Sequence, residues 1–286
     1  MTAPAVKPIM KWPGGKRRVM KDIRRFVPTT YTTYHEPFLG GGAVLFDLAP
    51  GKAVVSDINP ELVNLYTQVR DNLDAVLSIL MVHEAAHSRE HYLTIRAADR
   101  MADFAQVIPA ARAARTLYLN RTCFNGLYRV NSKGHFNTPF GDYKNPRIID
   151  REGLTALHRY LNDNDVQLHA EGYDVALDRV VGTDNFIYLD PPYLPLSPSS
   201  SFVGYAKDGF GLTQQQDLRD RAAALDAAGN YVLLSNSDTP LTRELYTDFI
   251  IEPIQVGRSI GASKETRVAV GEVLILGKHL HKTLQA

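Results

Sequence analysis

The sequence predicts an α/β protein built on a Rossmann-like sheet, and three stretches carry that expectation. Tyr34-His35-Glu36-Pro37-Phe38-Leu39 leads into Gly40-Gly41-Gly42 and then into the apolar run Ala43, Val44, Leu45, Phe46 and Leu48. That is strand, glycine turn, helix, the opening turn of such a sheet. Ala53-Val54-Val55-Ser56-Asp57 is a second strand ending in an acid, where a carboxylate typically holds ribose hydroxyls. Phe186-Ile187-Tyr188-Leu189 is a short apolar run suited to a buried parallel strand, and it halts at Asp190-Pro191-Pro192-Tyr193.

Composition sets the bounds. A chain of 286 residues with 44% hydrophobic and 22% charged residues reads as a globular protein of one large domain, or one and a half. No apolar run approaches a membrane span. Met1 to Pro8 holds no apolar signal region, so export is not expected. The single Cys123 excludes an internal disulfide framework and fits a reducing cytosol; beside Phe124 it reads as a packed small residue. The net charge is only +1 but uneven. Lys7, Lys11, Lys16, Arg17, Arg18, Lys21, Arg24 and Arg25 stand against Asp22 alone. Arg112, Arg115, Arg121, Arg129, Lys133, Lys144, Arg147 and Arg151 stand against Asp142 and Asp150. Two basic islands on an acidic body form a polyanion footprint.

The elements follow in order. Lys11-Trp12-Pro13-Gly14-Gly15-Lys16 is a tight loop opening a helix marked by Val19, Ile23 and Phe26. It lacks the P-loop spacing. The glycine turn and the acid of Asp57 together point to a nucleoside cofactor. The dehydrogenase spacing G-x-G-x-x-G is absent, and Phe38-x-Gly40-x-Gly42 suits S-adenosylmethionine instead. From Asn59 to Arg121 the pattern is helical, an insertion after the second strand. It contains His83-Glu84-Ala85-Ala86-His87, with His91 beyond. No third zinc ligand stands at the usual spacing, so a solvated helix face is expected there.

The segment from Leu117 to Gly141 breaks near Thr122 and mixes Arg, Asn, Lys and aromatic residues in a turn-rich stretch. Such a mixture contacts phosphates, reads base edges and inserts a ring into a stack; a polar β-hairpin is the plain alternative. Beyond it come a helix through Leu154, Leu157 and Leu161, then a strand at Val166–Ala170. Leu194 to Gly211 reads as a lid loop. Thr213 is expected to cap a helix that Gly229 stops. Tyr231–Asn236, Phe249–Val256 and Glu272–Leu276 complete seven strands, with Arg258, Lys264 and Arg267 a third basic spot.

Asp190-Pro191-Pro192-Tyr193 carries the chemistry. Neither proline has an N–H, so the strand ends here, at the carboxyl edge where open α/β sheets bind ligands. One carboxylate, carbonyls without local donors and one ring suit a flat base bearing an exocyclic amine. The ring stacks, and the oxygens accept the amine hydrogens. A bare strand-ending turn is the plain reading of the motif in isolation.

In this order, K-W-P-G-G-K, E-P-F-L-G-G-G, S-D-I-N, L-Y-L-N-R…F-N-G-L-Y-R-V-N…G-x-F-N-x-P-F-G, D-P-P-Y and R-S-I-G-A resemble the DNA adenine methyltransferase (Dam) family, the D12 class, α group. The resemblance covers nearly the whole chain. It implies an S-adenosylmethionine-dependent methyltransferase fold, a seven-stranded mixed sheet with an inserted helical DNA-recognition domain. Residues 1–59 and 150–286 would be catalytic, and 60–149 the target-recognition insert. The resemblance makes Trp12, Lys16, Glu36, Pro37, Phe38, Asp57, Ile58, Tyr173 and Asp190 cofactor contacts. Asp190, Pro191 and Tyr193 become the catalytic cluster.

Arg96, Phe124, Asn125, Leu127, Arg129, Asn131 and Pro139 become DNA contacts, with Phe124 the intercalating ring. Arginine favours guanine and apolar side chains favour the thymine methyl; with the resemblance, Arg129, Leu127 and Pro139 suggest GATC. Asp142 stands where some relatives carry a base. The expected partner is double-stranded DNA, methylated by a metal-independent monomer that leaves S-adenosylhomocysteine. The expected place is the cytoplasm of a bacterium, nucleoid-associated or virus-encoded. Methylation of cytosine N4 or of RNA adenine, and a non-catalytic DNA-binding role, remain open to this reading.

Overall fold

Tyr34–Glu36 forms β1 and Phe186–Leu189 forms β4, and every residue of both is buried. Strands buried along their whole length belong in the middle of a parallel sheet, covered on both faces. The computed structural model, which describes residues 6–193, 210–254 and 271–286, places them there. The other strands are β2 (Lys52–Asp57), β3 (Asp165–Ala170), β5 (Tyr231–Ser237), β6 (Ile250–Ile254) and β7 (Glu272–Leu276). Their order is β3-β2-β1-β4-β5-β7-β6. β1 pairs in parallel with β2 and β4, and β4 with β5. β7 runs antiparallel between β5 and β6. The expected seven-stranded mixed, Rossmann-like sheet is therefore present. Its order reverses between β1 and β4, and the crevice outside the carboxyl ends at such a point is where these sheets bind ligands. Pro253 lies in edge strand β6, the kind of strand in which a residue without an N–H is tolerated.

The chain forms two compact units. Met1–Gly15, Leu39–Gly51 and Asp57–Glu171 make the first; Lys16–Phe38, Lys52–Ser56 and Gly172–Ala286 make the second. The first is mainly helical: α2 (Ala43–Leu48), α3 (Pro60–Asp71), α4 (Leu73–Ala85), α5 (Arg89–Ala97), α6 (Pro109–Thr122) and α7 (Arg151–Asp163). α6 packs on α3, α4 and α5, so most of its surface is buried, down to Ala113, Leu117 and Tyr118. Asn59 starts α3 by accepting the Glu61 and Leu62 N–H groups, ahead of a proline at the position where its missing N–H costs nothing.

The second unit holds α1 (Met20–Ile23), α8 (Tyr173–Asp178), α9 (Leu212–Ala227), α10 (Pro240–Leu245) and α11 (Lys278–Leu284). Leu177, Leu189, Leu218, Val232, Leu234 and Ile275 form part of its core.

Two expectations change. α9 begins at Leu212, not after Thr213: the Gln214 side chain accepts the Gly211 N–H at 2.9 Å, which fixes the helix start two residues earlier. The face carrying His83 is not solvated. His83 is buried, its Nδ1 lies 3.0 Å from His91 Nε2, and both rings pack on Tyr118. His87 Nδ1 lies 3.0 Å from the Tyr118 hydroxyl. α6 supplies the apolar ring that draws these histidines inward, a long-range partner invisible to local pattern. Of the expected lid only Phe210 and Gly211 are described, and Arg258, Lys264 and Arg267 lie outside the described residues. Among the described residues no helix is long and apolar enough to cross a membrane.

Burial sets a pH dependence. His35, buried in β1, and His83 are both pushed down from 6.5 to about 4, by burial first and then by Lys52 and His91 respectively. The folded chain keeps these rings neutral where the unfolded chain protonates them. Their contribution is complete above the unfolded value and is lost as pH falls from about 6.5 towards 4. Urea unfolding at pH 7 and pH 5 should show a loss of about 2 kcal/mol per ring, and His83→Phe should remove its share. Equal stability at both pH values would contradict this.

Candidate active site

Lys16 follows the Gly14-Gly15 turn, in which Gly14 adopts a φ of 74° that side-chain-bearing residues avoid. The lysine is buried, and its Nζ lies 2.7 Å from Asp190 Oδ1 at the carboxyl end of β4. Ser235, on the neighbouring β5, donates to the same Asp190 oxygen at 2.8 Å. Ser235 has one hydrogen to give, so the buried Tyr188 hydroxyl, 3.0 Å away, donates to Ser235. Burial pushes the Asp190 carboxyl up, and Lys16, Ser235 and Tyr193 pull it the other way. The Lys16 ammonium also stands 4.8 Å from the Tyr193 ring centre, and the Tyr193 hydroxyl donates to Glu272 Oε2 at 3.0 Å. Burial raises that phenol far above its ordinary value, with Asp190 and Glu272 adding to the shift, so Tyr193 is a neutral ring and donor.

Of the carbonyls expected to be open after the two prolines, Pro192 O is taken by Gln215 Nε2 at 2.7 Å. Pro191 O meets no donor among the described residues. Nearby in the second unit, Tyr34 donates to the buried Glu36 at 2.9 Å, and Ser56 Oγ lies 3.4 Å from Pro37 O. Phe38 stacks on Tyr173 with centroids 5.6 Å apart, and Phe210 meets both rings edge-on. Tyr173 donates to Asp217 at 2.9 Å.

The first unit holds a polar group of its own. Asp57 accepts the Gly40 N–H through Oδ2 and the Asn59 N–H through Oδ1, each at 2.9 Å. Burial raises its carboxyl, and these two backbone donors oppose the rise. Each oxygen keeps further acceptor capacity. Gly40 adopts a φ of 49°, and a Cβ there would lie 2.8 Å from the Trp12 ring. Tyr66 fixes the Gly40 carbonyl at 3.1 Å. Ile58, next to Asp57, is 80% exposed. A held carboxylate, bare glycine backbone and an open apolar side chain fit the ribose and base of a nucleoside. Among the described residues no group of three or more metal-ligating side chains occurs.

After α6 the chain makes a tight turn at Phe124–Gly126, with Asn125 left-handed at a φ of 56°. Phe124 is 55% exposed. The turn is pinned by Phe124 N–H to Pro139 O at 2.9 Å and by Asn120 Nδ2 to Gly126 O at 3.0 Å. A hairpin follows: Asn137 N bonds Arg129 O, and Asn131 N bonds His135 O. Leu127 and Arg129 are exposed on it, and Arg129 Nε donates to Asn137 Oδ1 at 2.7 Å. Asn131 Oδ1 accepts the Lys133 and His135 N–H groups and so holds the hairpin tip. Arg96 is half-buried and donates to Thr138 O at 3.2 Å. Cys123 is buried and its thiol is pushed up to about 11, as expected of a packed residue.

The sequence model of the D12 class N6 adenine-specific DNA methyltransferases matches residues 12–260. The chain belongs to that family. It is 43% identical over 270 residues to the type II methyltransferase M1.LlaDCHI of Lactococcus lactis subsp. cremoris, covering 94% of this chain and 95% of the relative. It is 34% identical over 293 residues to the type II methyltransferase M.MjaIII of Methanocaldococcus jannaschii, covering 95% and 99%. It is 35% identical over 272 residues to the DNA adenine methylase of Escherichia coli K12, covering 94% of each.

Within this D12 methyltransferase, Asp190 and Tyr193 stand together with Lys16, and Phe38 with Tyr173. Asp57 stands with Gly40, and Phe124, Leu127, Arg129 and Asn131 share one turn-and-hairpin segment. Sequence reading missed Ser235, Gln215 and Glu272 as supports of the Asp-Pro-Pro-Tyr cluster. The polar end of Tyr231-Val232-Leu233-Leu234-Ser235-Asn236 was the one trace of Ser235. Gln215 and Glu272 left none, because their partners are distant in sequence.

Lys16 offsets the effect of burial on Asp190. In Lys16→Met that offset is gone, so Asp190 should protonate at higher pH. The acidic limb of the pH–rate profile for methyl transfer should move to higher pH. An unmoved limb would show that Asp190 ionisation does not depend on Lys16.

Proposed function

We propose that this methyltransferase moves a methyl group from S-adenosylmethionine to N6 of an adenine flipped out of duplex DNA, within GATC. The observation that supports it most is a fixed Asp190 carboxylate next to the Pro191 carbonyl, which meets no donor among the described residues, beside the Tyr193 ring. An adenine N6 amine carries two hydrogens. Asp190 would accept one and the Pro191 carbonyl the other, which draws the nitrogen lone pair out of conjugation with the base. Tyr193 would stack on that base. Lys16 keeps the Asp190 carboxylate charged and so an acceptor. A target amine inside a duplex is out of reach until its nucleotide leaves the stack; Phe124 would fill the gap.

For the cofactor, Asp57 and Ile58 would hold the ribose and base, and Trp12 would support the glycine turn. Lys16, Glu36, Pro37 and Phe38 would make further cofactor contacts, with Tyr173 and Asp190 near the methionine end. When bound, S-adenosylmethionine supplies a methyl group on a sulfonium, already a good leaving group, and leaves as S-adenosylhomocysteine. What remains for the chain is positioning and electrostatics. The recognition insert is taken as residues 60–149, and the protein is taken to act as a monomer on DNA in the cytoplasm.

The test is transfer of a tritiated methyl group to a GATC duplex and to duplexes altered one base pair at a time. The labelled product should be N6-methyladenine; N4-methylcytosine, or transfer to RNA alone, would overturn the substrate. Arg129→Ala should lose about 1–3 kcal/mol of discrimination at one position only. A uniform loss on every duplex would make Arg129 a backbone contact.

A further inference from the structure

Asp99 has no part in the family resemblance or in the reaction, yet its carboxylate is only 9% exposed and fully engaged. It lies in the single turn Ala98–Arg100 that follows α5. Its Oδ2 accepts the Phe136 N–H at 2.7 Å and pairs with Arg115 Nη2 at 2.9 Å. Its Oδ1 pairs with Arg100 Nη1 at 3.0 Å. Arg100 Nη2 in turn donates to Phe136 O at 3.0 Å. Both backbone polar groups of Phe136 are thus taken by the side chains of two consecutive residues, much as a neighbouring strand would take them.

Phe136 is the hairpin residue paired with Val130. It is followed by Asn137, whose side chain holds Arg129. A two-stranded hairpin alone is marginal in water, so the Asp99–Arg100 clamp stands in for a third strand. The clamp is itself fixed to the helices. Arg115, buried on α6, also donates to Ile95 O at 2.8 Å and Arg96 O at 3.0 Å, and Arg100 donates to Arg96 O at 2.9 Å. The Phe136 ring packs edge-on against Tyr128, which fixes the side-chain half of the same residue.

We propose that Asp99 is a positioning residue for base recognition, holding the hairpin that carries Arg129 in register with the helices behind it. The inference rests on the reading of Arg129 as a base contact. An amide at Asp99 keeps one acceptor oxygen where the carboxylate serves three donors, Phe136 N–H, Arg100 and Arg115, so the clamp loosens and Arg129 loses a fixed origin while the Asp190 cluster is untouched.

The experiment compares kcat/KM on GATC and on single-base-pair variants for Asp99→Asn, Arg100→Gln, Arg129→Ala and the Asp99→Asn/Arg129→Ala double variant, with the melting temperature of each. Asp99→Asn should lower discrimination at the Arg129 position by roughly tenfold, through KM and the ratio between duplexes and not through kcat on GATC. In the double variant, discrimination should fall no further than in Arg129→Ala alone, the non-additivity expected of residues acting through one another. Arg100→Gln, which leaves the Asp99–Arg115 pair intact, should give a smaller loss of the same kind, and it keeps the test valid should Asp99→Asn fold poorly. If Arg129→Ala lowers discrimination but neither clamp variant does, or if the clamp variants slow every duplex equally, the positioning role is wrong. If Arg129→Ala itself leaves discrimination unchanged, the base-reading assignment fails instead.

Discussion

A lysine ammonium and an aspartate carboxylate stand 2.7 Å apart with side chains 5% and 20% exposed, and the second unit is arranged around them. Charges withdrawn from water cost several kcal/mol each unless they are paired and hydrogen-bonded. This pair is both: Ser235 donates to Asp190, Tyr188 supports Ser235, and the Tyr193 ring lies by the ammonium. The arrangement constrains the sequence on both sides. The Gly14-Gly15 turn must deliver Lys16 to the end of β4, and β5 must end in small polar residues to reach Asp190. β4 must stop where it does, since Pro191 and Pro192 cannot extend the ladder.

The same constraint explains what the sequence made legible. β4, the first half of β5 and Ala53-Val54-Val55 of β2 were readable as apolar runs, and Tyr34-His35-Glu36 of β1 only through the glycine turn that follows it, where Gly40 and Gly42 need positive φ. The Asp-Pro-Pro-Tyr cluster was readable because carboxylate, prolines and ring are contiguous. Ser235, Gln215 and Glu272 were not, because each meets the cluster across 23 to 79 residues of chain. The His83 face failed for a related reason. Its polarity suggested solvent, but Tyr118 and His91 offer the ring packing and hydrogen bond that let a neutral imidazole be buried. Sequence spacing registers a residue's own chemistry and not the partner that changes its meaning.

The turn and hairpin of the first unit follow a different logic. Its exposed residues, Phe124, Leu127 and Arg129, are held by backbone hydrogen bonds and by side chains behind them, not by their own burial. Asn120 grips Gly126, Tyr92 donates to Thr138 O, and Asp99 grips Phe136. Rigid support behind exposed polar and aromatic side chains is what recognition of a shaped surface requires, since loosely held groups lose entropy on binding.

In the proposed reaction Asp190 acts on the target amine and not on the DNA backbone. Single-turnover methyl transfer and duplex affinity, measured side by side for Asp190→Ala, test it most directly. Transfer should be abolished while the duplex binds as it does to the unsubstituted protein. A variant that keeps more than about a tenth of the transfer rate, a loss below ~1.4 kcal/mol, would contradict it, as would a variant whose lost transfer is explained by lost DNA binding.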